Sequence, residues 1–117
     1  PRLLYATAIR HYARAVARAR QRDRAGFDAE LAAIAALRAS DGLQAMIDQG
    51  VPARDLLDIA VATARGRWAF AEGRHDEAAD FYRTAITLEA KLPYQEPPYW
   101  YYPSSQSLGA ALFQQGK

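Results

Sequence analysis

The sequence predicts an all-α protein built of stacked antiparallel helical hairpins, and three observations carry that expectation. Apolar residues recur at helical spacing along most of the chain. Alternating runs of the kind that form strands are absent. Two glycines also recur as a pair: Gly66 and Gly73 lie seven apart, and Gly109 and Gly116 repeat the spacing 43 residues later.

Taken in order, Ile9, Tyr12, Ala13, Val16 and Ala19 form one apolar stripe and predict a helix over about residues 2–22. Phe27, Leu31, Ile34 and Ala35 predict a second helix, with Asp28 near its positive N-terminal end and Ser40-Asp41-Gly42 ending it. A short helical piece over Leu43–Asp48 precedes Gly50-Val51-Pro52. Pro52 suits the first turn of the next helix, where its missing N–H would have no partner. That helix carries Leu57, Ala60, Val61, Ala64, Trp68 and Ala71 on one face, and Gly73 ends it as the residue that adopts a left-handed cap most cheaply. Asp76 and Glu77 then open a helix whose inner face is Ala78, Phe81, Tyr82, Ala85 and Leu88. Pro93, Pro97 and Pro98 bar regular helix from residues 91–102. Pro103 starts a last helix, with Leu108, Ala111 and Leu112 inward.

Small residues at a helix crossing let two antiparallel helices approach closely. Gly66 and Ala78 supply such a crossing, with Tyr82 and Ala85 packing one and two turns later. This pattern resembles the tetratricopeptide repeat, whose signature includes a Leu-Gly pair, then an Ala, then an aromatic four residues on. Residues 59–92 follow its spacing through Gly66, Gly73, Ala78, Tyr82 and Ala85. They depart from it at Ala62 and Ala69, where bulky aromatics are usual, and at Arg65, which replaces the Leu; Trp68 is placed to fill the space from the adjacent turn. Leu108-Gly109 and Gly116 start a second copy without its partner helix, and Ala15, Phe27 and Leu31 fit an earlier, weaker one. The resemblance implies an α-solenoid of about five long helices in one domain, residues 1–117. Its parts are a first hairpin (1–40), a repeat hairpin (52–91), an insert (92–102) and the first helix of a truncated repeat (103–117).

The repeat is nominally 34 residues long, so nine residues are in excess, and they fall in Leu92-Pro93-Tyr94-Gln95-Glu96-Pro97-Pro98-Tyr99-Trp100-Tyr101-Tyr102-Pro103. Tyr94, Glu96, Pro97, Pro98, Trp100 and Pro103, followed by Leu108-Gly109-Ala110-Ala111-Leu112, look like the C-terminal part of large bacterial tetratricopeptide-repeat proteins. Those proteins carry a Tyr-x-Glu-Pro-Pro-x-Trp insert. His11-Tyr12-Ala13-Arg14 followed by Glu30-Leu31 resembles their upstream hairpin. The likeness implies further repeats on both sides, which agrees with a chain that starts at Pro1 rather than Met and reads as part of a longer array.

Composition narrows the chemistry. There is no cysteine, which removes disulfides, thiolate metal sites and cysteine nucleophiles together. No apolar run is long enough for a membrane span or a signal peptide, and cytoplasmic is the default compartment. Net charge is +2, unevenly placed: residues 1–24 hold seven Arg and one acid, and the rest holds eight basic and twelve acidic residues. Arg10, Arg14, Arg18 and Arg22 form a basic ridge at helical spacing, read first as a solvated face; nucleic acid would need a larger basic footprint. The two histidines are far apart in sequence. His75 falls in a turn and is expected to be exposed, and His11 is a packed or hydrogen-bonded side chain before it is a metal ligand. No catalytic set, metal spacing or phosphate loop can be composed, so no cofactor is expected.

Five of the thirteen aromatics, Tyr94, Tyr99, Trp100, Tyr101 and Tyr102, fall within nine residues. Two roles stay open for this insert, a plug that completes the core or a ligand-contacting loop stiffened by proline. Tyr94, Glu96, Tyr99, Trp100, Tyr102 and His11 are therefore the candidate ligand-binding residues. The first functional expectation is a non-enzymatic scaffold that receives a protein or peptide partner. The alternative is a structural C-terminal segment of a larger enzyme or metal-binding protein whose active residues lie outside this chain. The uncovered last helix also predicts either a continuation or self-association.

Overall fold

The computed structural model describes residues 2–92, and within them only short turns interrupt the helices. The elements are α1 (Arg2–Arg20), α2 (Arg24–Arg38), α3 (Asp41–Asp48), α4 (Ala53–Ala71) and α5 (His75–Ala90). Four are long and α3 is short. The helix expected from Pro103, with Leu108, Gly109 and Gly116, lies outside the described residues.

Helices α1 and α2 pack together across a tight turn, as do α4 and α5, and α4 also packs on α1, α2 and α3. Local signals set the boundaries. Asp23 caps α2, its Oδ1 accepting from the Gly26 N–H at 2.9 Å, whereas Asp28 lies one turn inside the helix. Ser40 serves two helices: its hydroxyl donates to the Leu37 carbonyl at 2.7 Å and accepts from the Leu43 N–H at 3.4 Å. Asp41 and Gly42 therefore open α3 instead of ending α2. Pro52 stands just before α4, which starts at Ala53. Gly73, at φ +79°, ends α4 as expected. The Arg74 N–H reaches the Ala69 carbonyl at 2.9 Å and the Gly73 N–H the Phe70 carbonyl at 3.0 Å, the paired bonds that close a helix around a left-handed residue.

The core is centred on α4. Eleven of its nineteen residues are buried, from Ala53 and Leu56 to Trp68 and Ala69, where its periodicity predicted a single inward face. Alanines at Ala60, Ala62, Ala64 and Ala69 let neighbours close in on several sides. Thr63 tolerates full burial because its hydroxyl donates to the Ile59 carbonyl at 2.8 Å. The predicted stripe of α1 is rotated. Ala8, Ala15 and Ala19 are buried with Leu4 and Tyr12 packed beside them, whereas Ile9 and Val16 are half-buried and Ala13 is exposed. In α2, Phe27, Leu31 and Ile34 are buried as expected, and Ala35 is exposed. Where helices approach closely the small side chain takes the innermost place, so bulk alone misjudges the face.

Candidate functional site

The α4–α5 interface gathers Gly66, Ala78, Tyr82 and Ala85. Ala78 and Ala85 are fully buried, and Tyr82 is nearly so. The Tyr82 ring lies on Gly66: a Cβ there would come within 2.6 Å of Cδ1 and 2.9 Å of Cζ. Gly66 thus admits an aromatic ring, where the sequence paired it with Ala78. Held against α4 in this way, α5 leaves open a groove between itself and α2.

The apolar part of this groove is a cavity of about 500 Å³, floored by Leu57 and Val61 of α4 and walled by Ile34 of α2 and by Phe81 and Leu88 of α5. Arg38 and Asp58 stand at its margin in a two-pronged pair, Nε–Oδ1 at 2.8 Å and Nη2–Oδ2 at 3.1 Å. Asp58, through this hydrogen bond and then its charge, raises the Arg38 pKa. A second hollow of about 110 Å³ is lined by Arg24, Phe27, Trp68, Arg74 and Glu77. Arg65 and Phe81 line both spaces, so the two hollows adjoin across these side chains.

This second end combines aromatic faces with guanidinium groups. Phe27 and Trp68 lie 5.0 Å apart at 37°. The Arg24 guanidinium sits 5.0 Å from the Trp68 ring centre and 5.7 Å from that of Phe27, within cation–π range, while its Nε donates to both Asp28 oxygens at 3.1 and 3.2 Å. Arg74 joins Glu72 and Glu77 across the start of α5. Its hydrogen bond is the main reason the Glu72 carboxyl lies below its ordinary pKa; desolvation opposes the shift, and Trp68 and Arg24 add to it. The Trp68 indole nitrogen is buried and makes no full hydrogen bond, near as it is to Glu72. Arg65 is exposed and has no ion pair or hydrogen bond among the described residues.

His11 is directed elsewhere. Its Nδ1 lies 2.9 Å from Glu30 Oε2, tying α1 to α2 with both side chains largely covered, so the structure places it in a hairpin cross-link and not in the groove. Among the described residues, no three His, Cys, Asp or Glu side chains converge as a metal site would require. His75, expected to be exposed, is half-buried at the start of α5 and packs edge-on against Phe70 at 4.9 Å. The basic ridge is partly committed: Arg10 donates to Thr7, Arg18 pairs with Asp23, and Arg22 donates to the Ala71 carbonyl at 2.7 Å. Tyr94, Glu96, Tyr99, Trp100 and Tyr102 lie outside the described residues. Leu92, at the edge of the described chain, packs beside Ile59, Ala62 and Ala85.

The groove residues Arg24, Phe27, Arg65 and Phe81 did not emerge as a site from sequence. One signal was present: Arg65 is a charged residue between Ala64 and Gly66, both buried, and marks where α4 meets solvent. No family model matches the sequence, and neither does any curated protein or solved structure. Among the described residues, no helix is long and apolar enough to cross a membrane.

Proposed function

We propose that this chain is a non-enzymatic interaction module of tetratricopeptide type, and that the groove between α2 and α5 takes up a peptide segment of a partner protein. The observation that carries the proposal is the groove itself: about 500 Å³ of mainly apolar space, open to solvent, on a surface otherwise laced with ion pairs. Apolar clefts with a few polar groups at one end are the usual form of a recognition site. The repeat-type reading draws support from the correspondence of the hairpins. Arg22 and Gly73 occupy equivalent left-handed turn positions, and Ala15 and Gly66 lie equivalently ahead of them.

Trp68, which lines the hollow adjoining the groove, supplies the readout. In a Trp100→Phe variant, Trp68 is the sole tryptophan, and titration with proteome-derived peptides is expected to change its fluorescence saturably. A screen in which no peptide gives saturation would sink the proposal.

A further inference from the structure

Resting on that groove, we infer that the partner's segment enters it as an amphipathic α-helix, laid between α2 and α5 with an uncharged apolar stripe against α4, and not as an extended strand. Four polar side chains border the space, and three of them are engaged. Arg38 and Asp58 hold each other, and the Thr84 hydroxyl donates to the Asp80 carbonyl at 3.1 Å; Arg65 is the fourth. The floor and both walls are helices, whose N–H and C=O groups are used within their own turns. An extended main chain lying there would bury its polar groups with almost nothing to pair them. A helix brings its backbone already paired, so only its side chains have to fit.

Length and charge agree with that form. Leu57, Val61 and Arg65 follow one another at successive turns of α4, and the α5 wall runs from Phe81 to Leu88, in each case about two turns, or roughly 10–12 Å. Over that distance an extended peptide supplies about four residues, of which about two face the floor. A helix supplies side chains at i, i+3, i+4 and i+7, and so fills more of a cavity of about 500 Å³. The charges nearby offset each other. Asp58 answers Arg38, and around the adjoining hollow Arg24, Arg65 and Arg74 stand against Asp28, Glu72 and Glu77. Neither sign is in excess, so the stripe that matches this lining is uncharged. The polar residues of the helix belong on its outer face, which stays in water.

Three blocked peptides test the inference on the whole chain. The first, acetyl-Ser-Gln-Glu-Leu-Ala-Lys-Leu-Leu-Gln-Lys-Leu-Ala-Gln-Gly-amide, carries its leucines on one helical face. The second has Pro in place of the central Gln, on the opposite face. The third, acetyl-Ser-Gln-Leu-Glu-Leu-Lys-Leu-Ala-Leu-Lys-Gln-Ala-Gln-Gly-amide, has the first one's composition with the leucines at alternate positions. NMR reads the methyl signals of Ile34, Leu57, Val61 and Leu88. The first peptide is expected to shift them saturably and to add helical circular dichroism beyond the sum of the separate components. The Pro peptide should bind about a hundred-fold more weakly, as a helix-interior proline implies, and the alternating peptide should bind more weakly than the first. Ala35→Lys, at an exposed position on the groove wall, is expected to leave the chain's own circular dichroism unchanged and to weaken the first peptide about ten-fold. Equal or tighter binding of the Pro or the alternating peptide at the same methyls overturns the helix inference and leaves the groove proposal standing. Binding of none, or binding of the first that Ala35→Lys leaves unchanged and that misses these methyls, overturns both. Concentration-dependent shifts of the same methyls without peptide, matched by dimer in light scattering, would make a second copy the occupant and also overturn it.

Discussion

Between α1 and α2 the backbone enters the left-handed region at Arg22, with φ +56°, and between α4 and α5 it does so at Gly73, with φ +79°. The hydrogen bonds around the two turns correspond. The Asp23 N–H reaches the Arg18 carbonyl at 2.9 Å and the Arg22 N–H the Ala19 carbonyl at 3.2 Å, as Arg74 and Gly73 do with Ala69 and Phe70. Glycine adopts this conformation freely. An arginine there costs about 1 kcal/mol, and in exchange its side chain spans to α4, where it donates to the Ala71 carbonyl at 2.7 Å. One turn is thus specified locally and the other with help from a tertiary contact. The interiors differ in the same sense: His11 and Glu30 bridge the first hairpin by a polar contact, while the second closes through Tyr82 on Gly66.

The sharpest way to break this comparison is to exchange the small residues at the crossings. Gly66→Ala drives a methyl into the buried Tyr82 ring and is expected to destabilise the chain by about 2 kcal/mol, the usual size of overpacking, despite the better helix propensity of alanine. Ala15→Gly in the first hairpin is expected to cost about 1 kcal/mol, chiefly propensity. Urea unfolding measures both, and a neutral or stabilising Gly66→Ala would refute the packing of Tyr82.

The turns give the next effect in size. Nothing lies within 4 Å of a Cβ added at Gly73, so Gly73→Ala should cost about 1 kcal/mol through the backbone alone. Arg22→Ala keeps the strained φ and loses the bond to α4, costing about 1 kcal/mol. Arg22→Gly loses the same bond but relieves the strain, and its stability should lie within about 0.5 kcal/mol of the parent. If Arg22→Gly proves as damaging as Arg22→Ala, strain is not what the arginine tolerates.

The smallest effect concerns the second turn in acid. Glu72 has a lowered folded pKa, held mainly by Arg74. Its contribution to stability is therefore present above its unfolded pKa and lost as pH falls through the folded value. Arg74→Ala should move the Glu72 titration, followed by carboxyl NMR, back up toward the ordinary range. An unmoved titration would remove Arg74 as the cause.

The elements differ in how much of them could be read without the fold. Gly73 was legible because its effect is confined to a few neighbouring residues, and so was the helical period that carries Leu57, Ala64 and Trp68. The orientation of α1 was not. Its buried face is chosen by the fit of Ala8, Ala15 and Ala19 into the packed interior, and a hydrophobicity pattern gives more weight to Ile9 and Val16. The candidate site was the least legible part. Arg24 and Phe27 come from α2, Arg65 and Trp68 from α4, and Arg74 and Phe81 borders the groove from the turn and α5. No spacing along the chain records that they meet.

By itself, the sequence determined that the described residues form helices, that Gly73 ends α4, and that small residues mark close crossings. These follow from backbone sterics and side-chain period, which act within a few residues. Only the tertiary structure decided that α4 is buried on several sides, that His11 belongs to Glu30, and that α2 and α5 stand apart around a groove floored by Leu57 and Val61. Those features depend on helix-to-helix distances, set by the joint packing of side chains far apart in the chain.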